Sequence, residues 1–321
     1  MISRKSVGLA AVGALVAGGL AMVPSVASAQ EYTSRYNPRQ GVVTNGLYHR
    51  LGLAVRLNPL GLFVEGRFGY RRRLFHGPRS GILFKNTYAG LAATLAVSPA
   101  FVRPGISLEV QPLQILHLMV TYEPLVQWFG TFNYLQSFSD TEARANFSDD
   151  EIRRRSALAQ TARGWQLTLS GTLQVKIGDL AVRSNFRGVR ASYDGLRNND
   201  PNYYDIFFDV LAPNNGWTFL NDSDVIYQMS DLGLNIGVRY SAVVPLFEGG
   251  ALDGVQTATH RVGPLVSYTF RERRHSFFNA PTVFVLAQWW LAHRYRTGDG
   301  PESITQGLPM IVFGFSFRGD S

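Results

Sequence analysis

The chain has 321 residues, no cysteine, and 31 lysines and arginines against 23 aspartates and glutamates, for a formal charge of +8. Without cysteine it cannot be a disulfide-stapled secreted domain, and without a basic helix or RNA-binding motif it is not expected to bind nucleic acid. After position 29 the longest apolar run, Val283–Ala292, falls well short of the roughly 20 residues a membrane-crossing helix needs.

The first 29 residues have the layout of a secretory signal peptide. Arg4 and Lys5 supply the positive start, Val7–Val23 the apolar stretch, and Ala27-Ser28-Ala29 a small-x-small cleavage site before Gln30. Removing Arg4 and Lys5 with the leader lowers +8 to +6. Lysine occurs only at 5, 85 and 176, so the cationic excess is carried by guanidinium groups. Residues 30–45 are expected to be a periplasmic N-terminal segment, and 46–321 one β domain.

Along that domain, side-chain character alternates with a period of two, which predicts strands near 46–57, 62–72, 83–97, 104–111, 115–123, 165–177, 180–192, 217–229, 232–243, 258–270, 282–295 and 308–318. Residues 125–136 and 202–211 could each add one, giving a range of 10–14. The clearest is Trp165–Ile177, with Trp165, Leu167, Leu169, Leu173, Val175 and Ile177 on one face and Gln166, Thr168, Ser170, Thr172, Gln174 and Lys176 on the other. The last strand places Ile311, Phe313, Phe315 and Phe317 on one side and Val312, Gly314 and Ser316 on the other. A closed sheet pairs every backbone group, so these strands can hold without disulfides and can sit in hydrocarbon.

Short turns set the expected register. Gly178-Asp179 joins Ile177 to Leu180, Ser230-Asp231 joins Met229 to Leu232, Asn58–Gly61 joins Leu57 to Leu62, and Pro112–Gln114 joins Gln111 to Ile115. Counting back from these turns sets Glu109 opposite His117, Asp222 opposite Arg239, Gln174 opposite Arg183, Ser170 opposite Arg187 and Ala54 opposite Glu65. Arg50, Arg67 and Arg71 face the same inner side. The longer connections, 124–164, 193–216, 244–257 and 296–307, all fall at the end away from the chain termini. The first holds a short helix, with Ser148 and Glu151 as a capping box and Asp149 and Asp150 in its first turn.

On the Ala27-Ser28-Ala29 leader, the alternating strands and the closing Phe315-Ser316-Phe317, the chain resembles the bacterial outer-membrane β-barrel class. The resemblance spans the whole mature chain as a pattern and implies an all-β fold, a closed antiparallel transmembrane barrel of about 12 strands in the cell outer membrane. It also implies contact with membrane lipid and lipopolysaccharide, and handling by the barrel-assembly machinery. Members of the class usually finish on the terminal aromatic, whereas Arg318-Gly319-Asp320-Ser321 follows it here. The Arg318-Gly319-Asp320 match to an integrin-binding tripeptide is set aside, because it falls on the periplasmic side.

Catalytic signatures are sparse. The His-x-Ser-Asn-Gly stretch of the outer-membrane phospholipase is missing, and the histidines at 49, 76, 117, 260, 275 and 293 make no metal-ligand spacing. Arginine runs at 71–73 and 271–274 suit membrane-edge anchors. Asp222-Ser223-Asp224 with Asp205 and Asp209 is a thin calcium signal, lacking a complete binding loop. No cofactor or metal is expected, and catalysis is not the leading reading. The lumen candidates are Arg50, Glu65, Arg67, Glu109, His117, Arg183, Arg187, Asp222 and Arg239. They predict a narrow pore for small hydrophilic solutes with a mild preference for anions. The alternatives are a lipid-modifying enzyme using Glu109 and His117, a plugged barrel displaying its loops to partners, and a soluble β-sandwich.

Overall fold

Backbone pairing closes the chain into a barrel of twelve antiparallel strands. The computed structural model describes residues 45–75, 82–84, 86–139, 149–247, 257–270, 278–294 and 307–320. The wall is built, in chain order, from β1 (Gly46–Leu57), β2 (Gly61–Arg73), β3 (Tyr88–Val97), β4 (Phe101–Leu113), β5 (Leu116–Trp128), β7 (Ala162–Ile177), β8 (Leu180–Asp194), β11 (Trp217–Met229), β12 (Leu234–Leu246), β13 (Thr259–Thr269), β14 (Asn279–Ala292) and β15 (Met310–Asp320). A separate sheet of β6 (Ser137–Phe138), β9 (Asn202–Asp205) and β10 (Val210–Pro213) lies among the long connections. The leader, the 30–44 segment, Ser148 of the expected capping box and Arg271–Arg274 lie outside the described residues.

The outer surface explains why the sequence alternates. Leu91, Leu108, Leu125, Leu173, Ile177 and Phe68 are each more than half exposed or close to it, and every strand contributes such residues. In water that apolar surface would be an aggregation site; in a bilayer it is the ordinary outer band of a barrel. Phe315 and Phe317 are exceptions in degree, being partly covered by Phe278, whose ring centroid is 4.4 Å from that of Phe317. The sheet closes between β1 and β15 over Tyr48–Leu57 and Ile311–Asp320, so Arg318, Gly319 and Asp320 continue the closing strand past the last aromatic.

Three expected registers slide by two residues. The β11–β12 turn is longer than Ser230-Asp231: Met229 pairs with Leu234, and Gly233 takes a left-handed φ of 70° that a side chain would resist. Asp222 therefore faces Ser241, and Asp224 faces Arg239. The β1–β2 turn keeps four residues but moves back by one, with Arg56 pairing with Gly61, so Glu65 faces Gly52 and Ala54 faces Phe63. An irregularity between Val110 and Leu113 sets Glu109 against Met119 rather than His117. A slip of two preserves which face each side chain occupies. The β7–β8 pairs Gln174–Arg183 and Ser170–Arg187 lie where expected.

The 129–161 and 195–216 connections do not simply project outward. Val210 and Leu211 are fully buried, and Tyr203, Tyr204, Ile206, Phe207, Phe208 and Ala212 nearly so. Phe207 packs its ring 5.1 Å from Phe63 and 6.0 Å from Phe101, both at the loop end of the wall. Tyr193 bridges the wall to the insert, 6.1 Å from Trp128 and 5.1 Å from Tyr203. The small sheet thus sits in the barrel mouth. The helix, α1 (Asp149–Arg154), is tied to it through Gln136 Nε2, which donates to the Ile152 carbonyl at 2.7 Å. Residues 125–128 extend β5, and 202–213 pair only within the insert, so neither adds a barrel strand.

Candidate functional site in the barrel lumen

The two sides of the lumen are filled differently. On β11 to β15 many inward positions are apolar and buried: Leu220, Ile226, Val243, Leu265, Leu286 and Val312 are all 5% exposed or less. Phe284 reaches across Gly314, where an added Cβ would meet its ring. On β1 to β7 the inward positions are small or hydroxylated, including Gly52, Ala54, Gly90, Ala92, Thr94, Gly105, Ser107, Thr168 and Ser170. Long arginines reach over them.

Charged side chains follow the same division. On β8, β11 and β12, Asp224 is fully buried between Arg183 and Arg239, with Arg239 Nε 2.5 Å from its Oδ1. Asp222 accepts from Arg187 and from Ser241 Oγ at 2.6 Å. Gln288 adds a hydrogen bond to Ser241 Oγ at 3.0 Å. Such a network is held by its ion pairs, since a charge left without its counter-charge there would cost several kcal/mol.

Nearer the strand ends by the chain termini, Glu109 is the hub of the opposite wall. Its Oε1 accepts from Arg71 Nε at 2.9 Å and its Oε2 meets His117 Nε2 at 3.2 Å, with Arg67 Nη1 at 3.9 Å. Arg71 is sandwiched between the rings of Tyr48 and Tyr88, at 3.7 and 4.7 Å. Glu109 and His117 do meet, through a diagonal contact. Both carboxylate oxygens are engaged and Glu109 has no exposure, so the pair braces the wall. Towards the mouth, Arg103 Nε lies 3.5 Å from Glu123, whose Oε2 accepts from Gln166 Nε2 at 2.9 Å.

All nine lumen candidates face inward, but they separate into two kinds. Arg183, Arg187, Asp222 and Arg239, and likewise Glu109 and His117, are held in direct contacts. Arg50, Glu65 and Arg67 stand on the small-residue side, where Arg67 makes only long contacts of 3.7 Å to Glu65 and 3.9 Å to Glu109. Sequence reasoning placed Asp224 only in the calcium signal and not among the lumen residues, although the alternation of β11 already put it on the inner face with Asp222. It also did not foresee the apolar lumen positions of β14, where the run Val283–Ala292, interrupted only by Gln288, was the available sign.

The calcium reading fails on direction. Ser223 points outward, Asp222 and Asp224 are held by arginines, and Asp205 accepts the backbone N–H of Phe207 and Phe208 at 2.8 and 3.1 Å. Asp209 accepts from Tyr204 Oη at 2.6 Å, with His293 Nε2 at 3.6 Å. Among the described residues no three acidic or histidine side chains converge as metal ligands. Burial pushes the Asp205 carboxyl up to about 6, with Arg103 and Arg56 and the two N–H donors opposing.

No protein-family model matches the chain, and no curated protein matches it by sequence. Among solved structures the chain is similar to a KdgM porin in complex with disordered oligogalacturonate, at 10% identity and a TM-score of 0.36 over 84% of this chain and 98% of that one. It is similar to the translocator domain of the autotransporter NalP from Neisseria meningitidis, at 10% and 0.36 over 92% and 95%. Omp33 of Acinetobacter baumannii gives 9% and 0.35 over 86% and 98%. What decides the class is the barrel itself: strand-to-strand closure, an apolar exterior on every strand, and a lumen lined largely with polar groups. The chain is a closed, twelve-stranded β-barrel of the transmembrane kind.

Proposed function

We propose that the barrel is a narrow pore for small hydrophilic solutes with a mild preference for anions, and that the inserted sheet narrows its outer mouth. The observation that carries this reading is the β1–β7 side of the lumen. Its small inward residues are covered by arginines, and hydroxyl oxygens such as Thr94 Oγ1 and Ser107 Oγ are buried without a protein partner, groups that a lumen water or solute would satisfy. Arginine outnumbers carboxylate on that wall, with Arg50, Arg56, Arg67, Arg71 and Arg103 beside Glu65, Glu109 and Glu123. A low-dielectric wall focuses that field on passing anions. In the membrane the outer band meets lipid and lipopolysaccharide, after insertion by the barrel-assembly machinery.

The inserted sheet favours a second reading, a plugged barrel whose loops bind partners. Arg56 Nη2 donates to the Ile206 carbonyl at 2.9 Å and Arg103 stacks on Phe207 at 4.9 Å, so the insert is anchored to the wall. Planar-bilayer recording separates the two. The pore reading expects small conductance steps from the refolded protein, larger steps when 202–212 is replaced by a short Gly-Ser linker, and anion selectivity in both. Silence from both proteins, folded and inserted, overturns the pore and leaves the display barrel.

A further inference from the structure

The outer face of the barrel carries charge in few places. Of the lysines and arginines among the described residues of the wall strands, only Arg72, Arg163 and Arg190 point outward by alternation. Arg72 stands at the end of the chain termini. Arg163 on β7 and Arg190 on β8 stand together at the loop end, where Arg163 is paired with Asp194, and Arg190 with Leu167 and Trp217. Four residues of β7 separate the two levels, about 13 Å at roughly 3.3 Å per residue. Arg163 Nε donates to Gln127 Oε1 at 2.7 Å and Arg190 Nη2 to Asn215 Oδ1 at 3.2 Å, and neither arginine makes an ion pair among the described residues. Asp194 is the one acid on this face of β7, β8 and β11, and it is exposed.

The neighbours of these arginines are those of a membrane–water boundary. Trp165 and Trp217 lie on the same face, Tyr122 meets Trp165 at 6.4 Å, and Trp217 stacks on Phe219. Such rings form the aromatic girdle of a membrane barrel, and arginines there lay their stems on apolar surface while their heads reach water. Towards the midplane the same face is hollow. Over Gly171 and Gly188 runs a groove of about 550 Å³, walled by Leu118, Leu169, Phe186 and Phe219, each 41% exposed or more. A Cβ on Gly171 would have only Leu118 within 4 Å. Asn221 is an outward polar side chain along this groove. Its Nδ2 donates to Ser184 Oγ at 2.9 Å, and its Oδ1 accepts from Ser223 Oγ at 2.9 Å and keeps a lone pair for a further donor.

Cations at headgroup height above an apolar furrow, with a hydroxyl acceptor at its depth, complement an amphiphile with phosphate above and a hydroxylated acyl chain below. We propose that the outer face of β7, β8 and β11 binds one molecule of a phosphorylated, hydroxyacylated glycolipid, lipopolysaccharide, with its phosphates on Arg190 and Arg163 and an acyl chain in the groove over Gly171. Two separated arginines against a single exposed acid favour a headgroup with more than one phosphate over the single phosphate of a phospholipid. The site rests on the reading that the outer band meets lipopolysaccharide, and it needs no open pore.

The test is native mass spectrometry of the full-length barrel in detergent, with diphosphoryl lipid A, its dephosphorylated form and phosphatidylglycerol added in turn. One diphosphoryl lipid A is expected to stay bound per barrel, and the other two lipids to bind about tenfold more weakly or less. Arg163→Gln with Arg190→Gln is expected to weaken binding about tenfold or more, through lost charge-assisted hydrogen bonds. Arg72→Gln removes the same charge from the opposite end of the outer face and is expected to bind like wild type. Should the double variant fail to fold, Gly171→Leu fills the groove with both arginines intact and is expected to weaken binding as well. Equal retention of dephosphorylated lipid A or of phosphatidylglycerol, or equal loss in Arg72→Gln, overturns the site. So does a lipid-free dimer of the wild type that Gly171→Leu dissolves, which assigns the groove to a second copy. Co-flotation with phospholipid vesicles reads separately whether the barrel enters a membrane, so failure of the site is distinct from failure of the membrane reading.

Discussion

The two walls of this lumen use the same residues to opposite ends. On β8, β11 and β12, two aspartates are matched to Arg183, Arg187 and Arg239 by direct contacts, and the neighbouring inward positions of β13 and β14 are filled with Leu265, Phe284 and Leu286. On β15, β1, β2 and β3, arginines face arginines over glycine, alanine and threonine. The first wall holds the barrel together. On the second, arginine outnumbers carboxylate. What separates them is where carboxylates fall in register, because the arginine itself is the same group on both sides.

The contrast can be broken most severely at Asp224. Asp224→Asn leaves Arg183 and Arg239 buried around a neutral amide and is expected to cost about 3–5 kcal/mol of stability, read by urea unfolding in lipid vesicles. A smaller effect belongs to the mouth. The Asp205 carboxyl is raised from 3.8 to about 6 when the insert is docked, so the docked form favours the protonated acid. That contribution is fully present below about pH 4 and is lost as pH rises through 6. Arg103, Arg56, Tyr193 and Tyr203 are the charged and titratable groups facing it. Channel open probability is therefore expected to fall several-fold between pH 7.5 and 5 in wild type and to stay flat in Asp205→Asn. The smallest effect is on the unbalanced wall: Arg67→Gln relieves repulsion with Arg50 and is expected to change stability by no more than about 1 kcal/mol, in the same urea experiment.

Much of the barrel was legible because hydrocarbon outside and polar groups inside impose a strict period of two on every strand. Leu167, Leu169 and Leu173 announce their face without any long-range information. The sliding registers at Met229 and Leu57 were not legible, because registers differing by two residues leave the same faces inside. Asp222 was therefore matched to the wrong arginine position, although its direction was right. The insert was hidden for another reason. Tyr203–Ala212 has no period, since all its faces are covered in the mouth, yet a stretch with Tyr203, Tyr204, Ile206, Phe207, Phe208, Val210 and Leu211 is too apolar for a loop left in water. That imbalance was the available signal. The cationic row depended on pairing between the first and last strands, which no local pattern encodes.

The absence of cysteine from the native chain permits one direct test of which side of the lumen is wet. Single cysteines at Thr94, Ser107 and Ser170 on one side, and at Ile226, Val243 and Leu265 on the other, are exposed in folded barrels to a charged, water-soluble thiol reagent. Fast modification of the first three with protection of the second three is the expected result. Equal rates on both sides, or protection of 94, 107 and 170, would contradict a solute path along the arginine-rich wall.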